Sequence, residues 1–248
     1  MSPILHIHAS AVTLFEAAAK RVIELGNEAI AQRGVFHLAL AGGQTPRALY
    51  RCLGAPPMRQ QLKWRGVQLW FGDERCVPPD HPDSNYRMAR EELLERLPLE
   101  PGQFHRMEGE LEPELAAQRY REALTHLPQV GGLPIFDLIL LGLGADGHIA
   151  SLFPDTPARQ REEFTVTPLH SSLHRYWRLT LTLPVLNRAR HLLLLVSGEK
   201  KADIVRHIFA APAAARPLPA QLLQPAAGAL EWYLDRDAAL LLPAGSGQ

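Results

Sequence analysis

Apolar residues recur along the chain with two alternating periods, and that alternation predicts the fold. Short, nearly continuous apolar runs cover residues 36–41, 67–71, 136–141 and 191–196. Runs of that length and density read as strands buried on both faces. Between them lie stretches with apolar residues at helical spacing, over 14–31, 46–53, 84–97, 112–127 and 200–209. Thr13 is placed to cap the first, Pro46 to occupy the first turn of the second, and Ser84 to cap the third. Residues 4–8 alternate apolar side chains with His6 and His8 and read as an edge strand. Its two imidazoles are expected on the solvent side rather than on a metal. Residues 178–183 read as a further strand. Strands alternating with helices make an α/β fold, a mostly parallel sheet covered by helices on both faces. Residues 128–134 and 211–225 are rich in Pro, Gly or Ala and read as surface loops, so the 248 residues are expected to form a single domain.

Composition changes this picture little. Hydrophobic residues make up 46% and charged residues 21%, enough for a sizeable core. Lys+Arg and Asp+Glu are 26 each, so the basic excess of a nucleic-acid binder is absent, although a local basic pocket remains compatible. Cys52 and Cys76 have neither the spacing of a zinc site nor the density of a disulfide scaffold, and are expected as reduced thiols. The first residues lack a basic segment followed by a long apolar one. The longest apolar runs are far too short to span a bilayer. The expectation is a cytoplasmic protein, monomer or homodimer, with no nucleic-acid or membrane partner.

Candidate chemistry lies where predicted strands end. In open α/β sheets, ligands bind beyond the carboxyl ends of the strands. After the 36–41 strand come Gly42, Gly43, Gln44, Thr45 and Pro46. The glycines permit close backbone approach, and the helix start that follows offers free N–H groups and a positive dipole end, which suits a phosphate. The same turn also serves with no ligand. After the 67–71 strand come Asp73, Glu74 and Arg75, three consecutive charges that cannot all be buried. Arg75 can grip a phosphate through its planar fork. Gly198, Glu199, Lys200 and Lys201 follow the 191–196 strand and place a lysine near a helix start. The richest segment runs from Gly142 through Gly144, Ala145, Asp146, Gly147 and His148 to Ser151, Leu152, Phe153 and Pro154. Its glycines fit the dinucleotide fingerprint, but Pro154 arrives too soon for the long helix that fingerprint opens. A histidine beside an aspartate in a glycine-rich loop suits general-base catalysis, because imidazole titrates near neutrality and the carboxylate can orient it.

Together and in this order, these segments resemble the 6-phosphogluconolactonase family over roughly residues 36–205. Arg178, Leu179, Thr180, Leu181 and Thr182 complete the likeness. That family shares a superfamily with the glucosamine-6-phosphate deaminases. The resemblance implies a deaminase-like α/β fold with no metal or cofactor. It implies hydrolysis of 6-phospho-D-glucono-1,5-lactone to 6-phospho-D-gluconate, the second step of the oxidative pentose phosphate pathway. His148 would activate water, and Asp146 would orient it. Arg75 and Lys201, with the Gly43, Gln44 and Thr45 backbone, would hold the phosphate, and Asp73 and Arg178 would belong to the substrate site. Gln44 stands where the family usually has Ser, so one hydroxyl contact is lost. Two readings compete. In the deaminases, the Gly-His segment is followed by Asn-Glu-Pro and its carboxylate takes part in acid–base work. Here Ser151, Leu152 and Phe153 stand in that stretch, while Asp73 lines up with the deaminases' proton-abstracting residue. A non-catalytic sugar-phosphate sensor would need an output module for which the chain leaves no room.

Overall fold

The computed structural model describes residues 3–156, 165–171, 174–210 and 217–243. The chain opens with β1 (Ile4–His8), then α1 (Ala11–Arg33) and β2 (Phe36–Leu40). Ser10, not Thr13, caps α1. Its hydroxyl accepts from the Thr13 N–H, and Thr13 Oγ1 reciprocates as the third residue of a capping box. Next come α2 (Gln44–Gly54), β3 (Val67–Phe71) and β4 (Asp73–Arg75). Helix α3 (Asn85–Glu92) is shorter than the spacing predicts. It stops at Leu93, and residues Leu94–Arg96 continue as a 3-10 turn. Helix α4 (Pro113–Leu124) follows, with Glu112 as its cap, and then a two-rung hairpin of β5 (Gln129–Val130) and β6 (Leu133–Pro134) inside the expected 128–134 loop. The second half contains β7 (Leu138–Gly142), β8 (Val166–Leu169), β9 (Arg178–Leu181), α5 (Leu183–Leu186), β10 (His191–Val196), α6 (Ala202–Ala210) and β11 (Ala229–Asp235).

Six strands form one parallel sheet in the order β1-β11-β10-β7-β2-β3. All five residues of β2 are buried, and the Leu193 and Leu194 neighbours in β10 are buried on successive positions. Burial without a period of two means that both faces are covered, as the continuous apolar runs predict. Helix α1 packs against β1, β2 and β11, and α2 against β7 and β10.

Two expectations need correction and a third holds. Strand β11 sits between β1 and β10, where the sequence suggested no strand. Glu231 interrupts its apolar run, and that carboxylate is met by Arg21 of α1 at 2.9 Å and His6 Nε2 at 3.3 Å. His6 and His8 accordingly pack on Tyr233 rather than simply facing solvent. Second, β9 does not join the parallel sheet. It pairs antiparallel with β4 and β8 in a separate three-stranded sheet. Third, the three charges in β4 are not all buried: Asp73 is 7% and Glu74 2% exposed, while Arg75 stays partly exposed. Glu74 accepts from Ser84 Oγ and from the N–H groups of Arg75, Asn85 and Tyr86, which anchors the start of α3. Part of the expected 211–225 loop lies outside the described residues, and its remainder contains a 3-10 turn, Pro219–Leu222. Among the described residues no helix is long and apolar enough to cross a membrane.

Candidate active site

Three neighbouring parallel strands, β2, β7 and β10, deliver their carboxyl ends to one rim, followed by residues 41–46, 143–151 and 197–201. Strand β3 delivers β4 to the same rim, and β4 brings in β9. These segments border one cavity of about 830 Å³. Gly43, Gln44, Thr45, Asp73, Arg75, His148, Arg178 and Lys201 all line it. Asp146 does not. It stands behind His148, with Oδ1 2.6 Å from His148 Nδ1 and 3.2 Å from the His148 backbone N–H.

The turn that carries this pair is tight. The Gly144 N–H donates to the His148 carbonyl at 2.9 Å, and the Gly147 N–H donates back to the Gly144 carbonyl at 3.1 Å. Gly147 adopts φ 82°, which a side chain would strain. A Cβ at Gly144 would collide with Nδ1 and Cε1 of His148 and lie 2.5 Å from Asp146 Oδ1. No helix follows before Thr156, so the dinucleotide reading stays rejected on what is described; residues 157–161, expected as loop, lie outside the described residues. Burial alone would raise the Asp146 carboxyl. The hydrogen bond and the charge of His148 outweigh it and hold the group at about 2. Asp146 is therefore an anion that engages Nδ1, which leaves Nε2 as the free ring nitrogen of a histidine that lines the cavity.

The cationic side is built by β-pairing. Arg75 and Arg178 are direct cross-strand partners in the β4–β9 register. Like charges directly opposite one another destabilise a sheet. Arg75 Nη1 is held by the Asp83 carbonyl at 2.5 Å, while the Nε atoms of both arginines are buried without a hydrogen-bond partner among the described residues. Burial, and then the charge of Arg75, weakens the hold of Arg178 on its proton. Lys201 lies in the 3-10 turn Glu199–Lys201 that leads into α6, and its Nζ donates to the Leu143 carbonyl at 2.6 Å. Burial lowers its proton affinity, with Asp146 opposing. Helix α2 begins at Gln44 with Gly43 as a cap that offers no side-chain hydrogen bond, so its first-turn N–H groups have no capping side chain.

Sequence reasoning missed several contributors. Ser151 Oγ donates to Asp73 Oδ2 at 2.7 Å, and Asn85 Nδ2 donates to Asp73 Oδ1 at 3.1 Å. Ser151 was visible in the glycine-rich segment and Asn85 directly after the Ser84 cap, but only as letters. A Cβ at Gly42 would strike the Asn85 amide, so this network also dictates the glycine. Asp235, at the end of the unforeseen β11, accepts from Ser197 Oγ and the Gly198 N–H and so supports the lysine turn.

The arrangement is a polarised imidazole facing a cavity lined by Arg75, Arg178, Lys200 and Lys201, with an open helix start. A sequence model described as glucosamine-6-phosphate isomerases/6-phosphogluconolactonase matches residues 9–232. The chain is 42% identical over 241 residues to the 6-phosphogluconolactonase of Synechocystis, covering 96% of this chain and 98% of that one. It is 43% identical over 215 residues to the human 6-phosphogluconolactonase, covering 85% and 82%. The solved structure of the Trypanosoma brucei 6-phosphogluconolactonase superposes with a TM-score of 0.87 at 31% identity, over 98% of this chain and 99% of that one. On these matches the chain belongs to the 6-phosphogluconolactonase family, within the glucosamine-6-phosphate isomerase superfamily.

Proposed function

We propose that this chain hydrolyses 6-phospho-D-glucono-1,5-lactone to 6-phospho-D-gluconate, with His148 as the base that activates water. The observation that carries the reading is the 2.6 Å contact between His148 Nδ1 and Asp146 at the edge of a cavity lined by Arg75, Arg178 and Lys201. Water attacks the lactone carbonyl carbon while Nε2 takes one of its protons. Asp146 stabilises the resulting imidazolium. The tetrahedral intermediate carries its negative charge on the former carbonyl oxygen, where backbone N–H groups of the glycine-rich loop serve as donors. It then collapses, the bond from that carbon to the ring oxygen breaks, and the imidazolium returns its proton to the departing oxygen. His148 ends as it began. This chemistry requires no cofactor, and we take the chain as a single-domain sugar-phosphate enzyme of the cytoplasm.

The phosphate belongs to the cationic side. An anion between Arg75 and Arg178 relieves a cross-strand repulsion that the carboxylates of Asp73, Glu74 and Asp83 also oppose. The uncapped start of α2 adds backbone donors that do not depend on a hydroxyl at Gln44. Arg75→Ala and Lys201→Ala are each expected to raise KM for the phosphorylated lactone about tenfold to a hundredfold, since a charge-assisted hydrogen bond contributes roughly 1.5–3 kcal/mol. Discrimination against the unphosphorylated lactone shrinks in parallel. Unchanged kinetics in both variants would move the phosphate elsewhere.

The deaminase reading keeps one observation, the presence of Asp73 in the cavity. Its two carboxylate oxygens accept from Ser151 Oγ and Asn85 Nδ2, so Asp73 also ties the glycine-rich segment to the start of α3. A coupled assay on freshly generated 6-phosphogluconolactone, corrected for spontaneous hydrolysis, tests the reaction class. Lactone opening above the spontaneous rate is expected, with no ammonia released from glucosamine-6-phosphate. Ammonia release at a comparable rate would hand the assignment to the deaminases.

A further inference from the structure

A single hydrogen bond does not orient a ring. The Asp146–Nδ1 contact restrains one edge of the His148 imidazole, but the ring can still tilt about that contact and carry Nε2 away from the cavity. Gly144 lies against the ring at Nδ1 and Cε1, and without a side chain there it grants space rather than support. Support comes from the opposite end of the motif. The Phe153 ring meets His148 edge to face, with centroids 4.8 Å apart and planes at 63°. Phe153 is itself only 2% exposed, and His174 stacks on it at 4.0 Å and 28°. His174 stands 6.4 Å from His148, so its effect on the base passes mainly through Phe153. Burial, followed by the charges of Arg178 and His148, lowers the proton affinity of His174 and favours a neutral aromatic face.

We propose that Phe153 is a positioning residue for the base: its ring, backed by His174, holds the His148 imidazole at the tilt that presents Nε2 to the cavity. Phe153 lines the cavity yet has no polar atom, so it can neither move a proton nor hold the phosphate. Two roles remain for it, core packing and geometry. Packing alone predicts a loss of stability with normal turnover per folded molecule. Geometry predicts a loss of kcat at unchanged KM, because the phosphate contacts lie on other segments.

The inference rests on His148 being the base, and the experiment separates the two. Phe153→Leu, His174→Ala and His148→Asn are made in the full chain, and kcat, KM for the lactone and melting temperature are measured on each. Phe153→Leu is expected to lower kcat about tenfold, since a misplacement of about 1 Å costs on the order of a hundredfold and leucine restores part of the volume. KM stays within about twofold. His174→Ala shifts kcat in the same direction by less, and decides the matter should Phe153→Leu fail to fold. A normal kcat in Phe153→Leu with a lowered melting temperature, or a raised KM with normal kcat in His174→Ala, overturns the positioning role. Full activity in His148→Asn overturns the base itself, whereas an inactive His148→Asn beside a fully active Phe153→Leu removes only the inference.

Discussion

His148→Asn lowers kcat about 100- to 10,000-fold while KM and the melting temperature stay near those of the parent chain. The size follows from the contribution of a positioned general base. The selectivity follows from where the residue sits. Its side chain is 30% exposed at the cavity edge, and asparagine keeps part of its volume, so the main packing loss is the edge contact with Phe153. Asparagine cannot accept the water proton, yet the cations proposed to hold the phosphate remain. Asp146→Asn also lowers kcat, because an amide nitrogen turned toward Nδ1 selects the tautomer with its proton on Nε2 and removes the acceptor. The carboxylate of Asp146, held at about 2, is the acceptor that this substitution removes. Melting temperature and kcat measured on one preparation separate this from a structural role, which would lower stability and leave kcat per folded molecule almost untouched.

The readable parts of this fold were those with a local cause. Strands β2, β3, β7 and β10 announce themselves because both faces are buried, so their residues are apolar but for His37, Gln68 and His191. Strand β11 is equally central but hides its nature behind Glu231, whose compensation comes from Arg21, 210 positions earlier. The same holds for β4. A triplet of charges looks like a solvated loop until Ser84, Asn85 and Tyr86 converge on Glu74. Residues at the site were legible for a topological reason. The strand-end rule needs only the strands, and it brings the glycine turn, Arg75, His148 and Lys201 to one rim. Their relations to one another were not legible. The antiparallel pairing that sets Arg75 opposite Arg178, and the stack of Phe153 between His148 and His174, are contacts between segments whose approach no local pattern encodes.

Gly144→Ala is expected to lower kcat about a hundredfold with little change in melting temperature, an unusual outcome for one added methyl group. The position does not demand glycine for its backbone, because Gly144 is not among the residues with positive φ. It demands glycine for space. The new Cβ would collide with Nδ1 and Cε1 of His148 and stand 2.5 Å from Asp146 Oδ1, all short of van der Waals separation. The atoms in the way belong to two side chains on the cavity edge, 30% and 49% exposed, so they can move without disturbing the sheet. Relief requires a shift on the order of 1 Å, and a displacement of that size at a reacting group costs about a hundredfold. The loss falls on kcat, since the cations around the phosphate do not touch Gly144. A structure of the variant would show the His148–Asp146 contact longer than the present 2.6 Å or the ring turned. Should Gly144→Ala keep full kcat with the pair intact, the backbone of the turn must have absorbed the methyl group, and the packing of Gly144 beneath the pair would not be what sets the base.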